Sequence, residues 1–233
     1  MPSRVAWPLA IGLLLVVGIG GVVATRGPGA PPPQQATAPA PRDTVADSAL
    51  LAARTKGSAS APITVLEIAD FQCPACRVFW EETMPLLQRE YVDAGKIRVL
   101  FVNLPLVAIH PNAAAAHEFA MCAAAQGRFW PVHDMLFDQQ SVWARLDDPS
   151  PYFYSVAAAT GVAADSLDAC VAADRMRDLI LREAESVVRA GVQSTPSFVI
   201  EGGLMAGAVP IEGWRPILDS IYGAKLGDVK REK

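Results

Sequence analysis

Two cysteines separated by two residues, Cys73 and Cys76, are the side chains of this sequence best suited to chemistry. An apolar run with strand character, Ile63 to Ala69, precedes them, and an amphipathic run, Arg77 to Tyr91, follows them. This order predicts that Cys73 lies at a helix N-terminus, where free backbone N–H groups and the helix dipole favour an anion. Because the thiolate is the reactive form of cysteine, the pattern predicts a redox pair that can close and open a disulfide.

A C-x-x-C pair can also be half of a zinc site, which needs about four ligands, usually supplied as closely spaced pairs. The remaining cysteines, Cys122 and Cys170, are far from each other and from the pair. The three histidines, His110, His117 and His133, form no pair at zinc-site spacing, and we interpret them as surface or core residues. We therefore favour redox chemistry and expect no metal site.

Composition and charge narrow the possible classes of protein. The chain has 233 residues, of which 52% are hydrophobic and 19% charged, which predicts one folded domain with additional segments rather than general disorder. The formal net charge is -4, and no basic stripe with interleaved aromatic residues is present, so we expect no nucleic-acid partner. Four cysteines, an even number, fit an oxidising compartment.

The N-terminal segment predicts a location outside the cytoplasm. Residues Val5 to Thr25 form an uncharged apolar run of about the length that spans a bilayer. A cleaved signal peptide is the alternative, with Val22 to Ala24 as its cleavage site, but its apolar core is usually shorter. We expect residues 1–25 to be an uncleaved membrane anchor; with cleavage the protein would be secreted. Residues 26–53, rich in Pro and Ala, predict a spacer, although residues 43–53 could also form a short helix.

In chain order, the rest of the sequence predicts a strand, a helix, a second strand, a helical block, a strand hairpin and a final helix. The predicted elements are a strand over 63–69, a helix over 73–91 kinked at Pro85, a strand over 97–102, a helical block over about 111–190, strands over 194–200 and 204–206, and a helix over 211–222. The first three elements should form a parallel strand–helix–strand unit with a right-handed crossover. Residues 225–233 predict a polar tail.

This order of elements resembles the DsbA-like branch of the thioredoxin superfamily, in which a helical domain interrupts a thioredoxin fold. The resemblance covers roughly residues 58–222, and its most specific parts are Phe71 to Cys76, Gln126 to Trp130 and Gly191 to Phe198. It implies an α/β fold over residues 54–224, with a βαβ unit and a ββα unit separated by the helical insertion. The predicted membrane anchor precedes this domain.

The resemblance implies a role for each residue of the C-x-x-C motif. Cys73 matches the exposed nucleophile that forms a mixed disulfide, Cys76 matches the buried resolving thiol, and Pro74 and Ala75 form the active-site dipeptide. The strongest oxidants of the family often have histidine where this chain has Ala75. Thiolate stabilisation should then depend more on backbone N–H groups, so we expect a lowered but less extreme pKa at Cys73 and a milder oxidant.

Two further sites follow from the resemblance. Pro196 falls at the position of the family's cis-proline, which would expose the backbone of Thr195 to an extended substrate segment. The alternative is an ordinary trans turn before a strand. Glu67 lies mid-strand, where a carboxylate is costly unless it is paired, hydrated or protonated. It either points to solvent from an edge strand or is the family's buried acid, with a raised pKa, which moves protons to and from Cys76.

The second pair of cysteines, Cys122 and Cys170, lies within the predicted helical block. They could be two unrelated buried thiols, because free cysteine is often buried. We favour a structural disulfide that joins two helices, and some extracytoplasmic members of the family are similar in having such a second pair.

The resemblance implies a thiol–disulfide oxidoreductase that works as an oxidase on exported proteins with free thiols. It also implies a quinone-linked membrane oxidase as electron acceptor, no cofactor on this chain, and a monomer tethered to the membrane. A tethered reductase or isomerase is the first alternative, although isomerases usually carry an N-terminal dimerisation domain. A non-catalytic binding or chaperone module is the second, and the intact pair Cys73 and Cys76 argues against it.

Overall fold

A computed structural model describes residues 44–231, and the side chains of residues 48–227. The anchor predicted over Val5 to Thr25 and most of the predicted spacer lie outside the described residues. Within residues 44–231, no helix is both long enough and apolar enough to cross a membrane.

A mixed sheet of five strands organises the described part of the chain. The strands are β1 (Thr55–Lys56), β2 (Ile63–Ala69), β3 (Ile97–Asn103), β4 (Ser197–Ile200) and β5 (Gly203–Ala206), in the spatial order β1-β3-β2-β4-β5. β2 and β3 are parallel, whereas β1 pairs with β3, β4 with β2 and β5 with β4 in antiparallel fashion. The strand that leads into the cysteines, β2, is therefore central, which explains its nearly continuous apolar sequence.

The helices follow the order that the sequence predicted. They are α1 (Thr44–Ala53), α2 (Pro74–Val78), α3 (Met84–Leu87), α4 (Ala113–Ala124), α5 (Phe129–Asp138), α6 (Gln140–Trp143), α7 (Ser150–Thr160), α8 (Ala164–Ala172), α9 (Arg177–Arg189) and α10 (Ile211–Arg231). Helices α4 to α9 form the insertion between β3 and β4. The thioredoxin-like α/β fold with an inserted helical block is thus confirmed.

The helical segment after the cysteines is irregular near Pro85, where the sequence predicted a kink. A π-helical turn, Phe79–Thr83, precedes α3, and a second one, Gln88–Val92, follows it. Pro85 therefore lies in the first turn of α3, where its missing N–H removes no helical hydrogen bond. The irregularity takes the form of widened turns around the proline.

Both ends of the described region are more ordered than the sequence predicted. Of the two alternatives for residues 43–53, spacer or short helix, the structure has the helix α1 over residues 44–53, and Leu50 of this helix packs against the main apolar cluster. At the other end, α10 continues through residues 225–231, which were predicted to be a polar tail. Lys225 lies 3.1 Å from the carboxylate of Glu201 in the β4–β5 turn, which ties this part of the helix to the sheet.

Aromatic side chains fix the chain on both sides of the C-x-x-C motif. Before it, the ring of Phe71 stacks on Phe101 at 4.9 Å between centroids and lies 5.2 Å from Phe137 of the insertion. After it, Phe79 lies 4.5 Å from Phe198 of β4. Since such pairs add to the free energy gained by burial, the motif is held between two packed aromatic groups.

A disulfide joins Cys122 of α4 to Cys170 of α8, with an S–S distance of 2.01 Å and a sequence separation of 48 residues. Of the two alternatives that the sequence left open, the structure contains the bridge between the helices.

Replacement of both residues, Cys122→Ala together with Cys170→Ala, should lower the free energy of unfolding by about 4 kcal/mol. The closed loop of this length restricts the unfolded chain by about that amount. Urea unfolding of the oxidised protein and of the variant measures the difference. The glutathione equilibrium of Cys73 and Cys76 should not change. Alkylation of Cys122 and Cys170 in the unreduced native protein would contradict the bridge.

Candidate active site

The junction between β2 and α2 forms the centre of the site. β2 ends at Ala69, and Cys73 is the N-cap residue of α2, with φ -72° and ψ 122°. Pro74 follows as the first helical residue, a position that suits its fixed φ and its missing N–H. The N–H of Cys73 donates to the carbonyl of Asp70 at 3.1 Å, which closes the turn between strand and helix.

The two thiols are free and differ in exposure. Cys73 is 7% exposed and Cys76 is 1% exposed. As predicted, Cys73 is more exposed than Cys76, but its exposed fraction is far smaller than the sequence suggested. The Thr195 carbonyl oxygen lies 3.3 Å from Cys73 Sγ, and this covering segment is 122 positions away in the chain. The peptide bond between Thr195 and Pro196 is cis, so the alternative of an ordinary trans turn is excluded.

The thiols also differ in pKa. A hydrogen bond from the Cys76 thiol lowers the pKa of Cys73 to about 6, in spite of burial and with help from the backbone N–H groups of Cys76 and Ala75. Burial and the neighbouring Cys73 sulfur raise the pKa of Cys76 well above its usual value. At neutral pH the pair therefore holds one thiolate, on Cys73, and one thiol. The sequence suggested that backbone N–H groups would dominate, whereas the Cys76 thiol contributes most.

A buried carboxylate that the sequence did not single out anchors the turn before Cys73. Asp70 is 0% exposed, and its Oδ1 accepts a hydrogen bond from the Gln72 N–H at 2.8 Å. Its Oδ2 accepts from the Leu106 N–H at 2.8 Å and lies 2.7 Å from Nδ1 of His110. Burial alone would raise the pKa of Asp70, but the neighbouring His117 ring and the hydrogen bonds from His110 and the Leu106 N–H outweigh it, and the pKa is lowered. The carboxylate is therefore ionised inside the protein.

The same residue touches the resolving thiol. The backbone N–H of Asp70 lies 3.5 Å from Cys76 Sγ. Gln140 of α6 holds the turn from the opposite side, since its Nε2 donates to the carbonyls of Phe71 at 2.7 Å and Cys73 at 3.0 Å. The helical insertion thus fixes the backbone on which both thiols stand.

A chain of polar contacts continues from this turn through the protein. His117 accepts a hydrogen bond from the Phe71 N–H at Nε2, 3.4 Å away, and its Nδ1 lies 2.7 Å from the Asn103 amide oxygen. Asn103 donates to Glu183 of α9 at 2.7 Å, and Glu183 pairs with the buried Arg54 at 2.7 Å. Sequence reasoning gave no role to these residues. Among the described residues, no group of three or more His, Cys, Asp and Glu side chains is arranged to hold a metal ion.

Glu67 is a second buried carboxylate of β2, and it is 1% exposed. Because β2 is the central strand, the alternative that Glu67 points to solvent from a sheet edge is wrong. Burial raises its pKa to about 8, against the attraction of Lys56. Its side chain shares a face with Ala69, two residues further along β2, and Ala69 packs in the same cluster as Cys76. Glu67 is therefore a protonated acid on the cysteine side of the sheet.

Comparison with known proteins identifies the family. A sequence model of the family described as Thioredoxin matches residues 51–220. The chain belongs to the thioredoxin family. Among solved structures, alpha-DsbA1 of Wolbachia pipientis superposes with a TM-score of 0.68 at 20% identity, covering 76% of this chain and 94% of that one. Oxidised BdbD of Bacillus subtilis superposes with a TM-score of 0.67 at 18% identity, covering 73% of this chain and 92% of that one.

Curated relatives match over part of their length. This thioredoxin-family chain is 32% identical over 84 residues to Disulfide bond formation protein D of Bacillus subtilis, covering 36% of this chain and 38% of that protein. It is 31% identical over 169 residues to Na(+)/H(+) antiporter NhaA 3 of Salinispora tropica, covering 72% of this chain and 24% of the antiporter. The chain spans well under half the length of these relatives. The matches thus show a thioredoxin-family chain whose fold is similar to that of the DsbA proteins and whose sequence is similar to part of a disulfide bond formation protein.

In this thioredoxin-family protein, Cys76→Ala should raise the pKa of the Cys73 thiol above about 6, because the hydrogen bond that lowers it most is removed. The ultraviolet absorbance of the thiolate, followed against pH in the reduced protein, measures the change. Alkylation rates of Cys73 at several pH values provide an independent reading. An unaltered titration in the variant would show that the backbone N–H groups alone set the pKa.

Asp70→Asn should lower the free energy of unfolding by about 3 kcal/mol at neutral pH, because buried donors that the carboxylate satisfies lose their acceptor. The asparagine side chain has one acceptor oxygen, whereas three donors converge on the carboxylate of Asp70. Since the folded pKa of Asp70 is lowered, its contribution is complete above the unfolded pKa of about 3.9 and is lost as pH falls through the folded value. Urea unfolding across the acid range measures this.

The exposed Asp147→Asn serves as the matched control and should behave as the wild type. If acidification lowers the free energy of unfolding of Asp70→Asn and of the wild type by the same amount, Asp70 is not ionised in the folded protein.

Proposed function

We propose that this chain is an extracytoplasmic thiol–disulfide oxidoreductase that acts as an oxidase and introduces disulfides into exported proteins. Cys73 and Cys76 are the reactive pair. The observation that carries the proposal is the asymmetry of the two thiols, because the pKa of Cys73 is lowered to about 6 while that of Cys76 is raised.

This asymmetry favours oxidation of substrates over their reduction. At neutral pH the reduced protein keeps a stabilised thiolate on Cys73, and the disulfide form has no corresponding charge to stabilise. A disulfide whose reduced form is stabilised takes electrons readily. The low pKa also makes Cys73 a good leaving group when a substrate disulfide is completed.

The reaction proceeds in two exchanges. A substrate thiolate attacks Cys73 Sγ, the Cys73–Cys76 bond breaks, and Cys76 leaves as a thiolate that takes a proton from the acid of Glu67. The second substrate thiol, once deprotonated, attacks the substrate sulfur of the mixed disulfide, and Cys73 leaves as a thiolate. The substrate loses two electrons and gains a disulfide, and the enzyme gains two electrons as the dithiol.

Four neighbouring residues support these steps in the proposal. Thr195 and Pro196 contact the substrate, because the Thr195 carbonyl lies 3.3 Å from Cys73 Sγ and a chain bonded there must pass this segment. Pro74 starts the helix, and Ala75 contributes a backbone N–H to the Cys73 thiolate.

We place the catalytic domain outside the cytoplasm, held by the apolar run Val5 to Thr25. The bridge between Cys122 and Cys170 supports this, because such bonds persist in oxidising compartments. The substrates are exported proteins with free thiols. The reduced enzyme passes its electrons to a quinone-linked membrane oxidase. The chain acts as a monomer, and its catalytic domain spans residues 54–224.

The test is the redox equilibrium of Cys73 and Cys76 in the full-length chain, set by mixtures of reduced and oxidised glutathione. The expected potential is more oxidising than the roughly -270 mV of thioredoxin. Trapping of free thiols by alkylation, read by mass, gives the oxidised fraction. The oxidised chain should also form disulfides in a reduced, unfolded model protein, and Cys73→Ala should abolish this.

A potential as low as that of thioredoxin would overturn the oxidase proposal in favour of a tethered reductase. If the chain rearranges the disulfides of a scrambled substrate but does not oxidise a reduced one, an isomerase is indicated instead.

A further inference from the structure

Several buried side-chain polar atoms of the described residues have no hydrogen-bond partner. Within the described region they include Glu67 Oε2, Trp130 Nε1 and His133 Nε2. Two more, Arg77 Nε and Gln88 Oε1, belong to residues that line an adjoining cavity of about 330 Å³. Because buried polar groups in native proteins are usually paired with protein or with ordered water, these atoms indicate a hydrated path.

The ring of His133 lies over the sheet face to which Glu67 points. Phe101 is the neighbour of Glu67 on β3, and neighbouring residues in a sheet share a face. The His133 ring stands 5.5 Å from the ring of Phe101 and 4.8 Å from that of Trp130. The acid and the imidazole are thus enclosed by the same aromatic groups.

The unpaired atoms are chemically complementary. His133 Nδ1 lies 2.8 Å from the carboxylate of Asp134, whose pKa is lowered by this contact in spite of burial. Burial lowers the pKa of His133, so the imidazole is neutral, donates from Nδ1 and keeps Nε2 as an acceptor. Glu67 is protonated below about pH 8 and offers an O–H donor, and the Trp130 N–H is a second donor. Ordered water can bridge two donors and one acceptor.

Asp134 connects this buried group to solvent. Its side chain is 47% exposed and accepts a hydrogen bond from Trp80 Nε1 at 3.0 Å. Asp134, Trp80 and Lys56 line the cavity, and the Lys56 ammonium lies 4.4 Å from the centre of the Trp130 ring. A proton that reaches Asp134 has therefore reached the surface.

We propose that His133 and Asp134, with ordered water, form the path by which Glu67 exchanges its proton with solvent, so that ionised Glu67 can take the Cys76 proton during reoxidation. This inference rests on the proposed role of Glu67 in the redox reaction.

Each transfer is balanced. Glu67 first passes its own proton through water to Nε2 of His133, while Nδ1 gives its proton to Asp134, which releases it to the cavity. Ionised Glu67 then takes the Cys76 proton, the Cys76 sulfur attacks Cys73 in a mixed disulfide, and the partner sulfur leaves as a thiolate with the bonding electrons. In the next substrate oxidation Glu67 gives its proton to Cys76, and the reverse transfer from Asp134 through His133 reprotonates Glu67 and returns the imidazole to its starting tautomer.

Charged groups from three elements face this path and set its dependence on pH. They are Lys56 of β1, Arg77 and Glu81 of the segment after Cys76, and Asp134 and Asp138 of α5. After burial, which raises the pKa of Glu67 and lowers that of His133, the positive charge of Lys56 lowers the pKa of both groups.

The test mixes full-length reduced protein with oxidised glutathione and follows release of the second glutathione, which reports resolution of the mixed disulfide by Cys76; the first leaves when Cys73 forms the mixed disulfide. His133→Gln keeps a donor and an acceptor but cannot carry a proton. It should slow resolution by about tenfold or more below the Glu67 pKa of about 8 and by less above it, where Glu67 is already ionised and has no proton to release. Alkylation of Cys73 should keep its wild-type rate, because that thiolate is not on the path.

His133→Phe should slow resolution to the same extent, and Met135→Leu, a half-buried neighbour on α5, should leave it unchanged. Wild-type resolution in His133→Gln would overturn the inference, since a hydrogen-bonding side chain would then suffice. Glu67→Gln separates this inference from the proposed function. Slow resolution in Glu67→Gln with normal resolution in both His133 variants removes only the exit path, whereas normal resolution in Glu67→Gln removes the role of Glu67 itself.

Discussion

The buried, ionised carboxylate of Asp70 is the interaction on which the redox site depends. A charge inside a protein must be balanced by partners, and here the N–H groups of Gln72 and Leu106 and the ring of His110 converge on two oxygens. These partners belong to the turn before the cysteines and to the connection between β3 and α4. One side chain therefore joins the core sheet to the start of the helical insertion, while its own N–H faces Cys76.

Two carboxylates three residues apart differ in charge because folding gave them different surroundings. Glu67 lies among aromatic rings with Oε2 unpaired by any described residue, so burial decides its pKa, which is about 8. Asp70 is equally buried, but its hydrogen bonds outweigh the cost of burial. One group can therefore exchange a proton near neutral pH, while the other serves as a fixed anion. This separation of roles by environment is a common device of enzymes that use paired acids.

The sequence predicted the fold where a few consecutive residues carry the information. The apolar run of β2, the helix start at Cys73 and the hairpin of β4 and β5 were all found as expected. The two-residue strand β1 was missed, because its place depends on pairing with β3 rather than on its own pattern. The extension of α10 was missed for a similar reason, since Lys225 is held by an ion pair with a distant turn.

The sequence by itself determined which residues could do redox chemistry, because two cysteines at this spacing on a helix start have few other uses. Only the tertiary structure decided their environment. His110 meets Asp70 across 40 positions of the chain, and Thr195 covers Cys73 across 122. No local pattern encodes such contacts. The pKa of a thiol or carboxyl group depends on the water it loses and the partners it gains on folding, and both are fixed only when distant segments pack together.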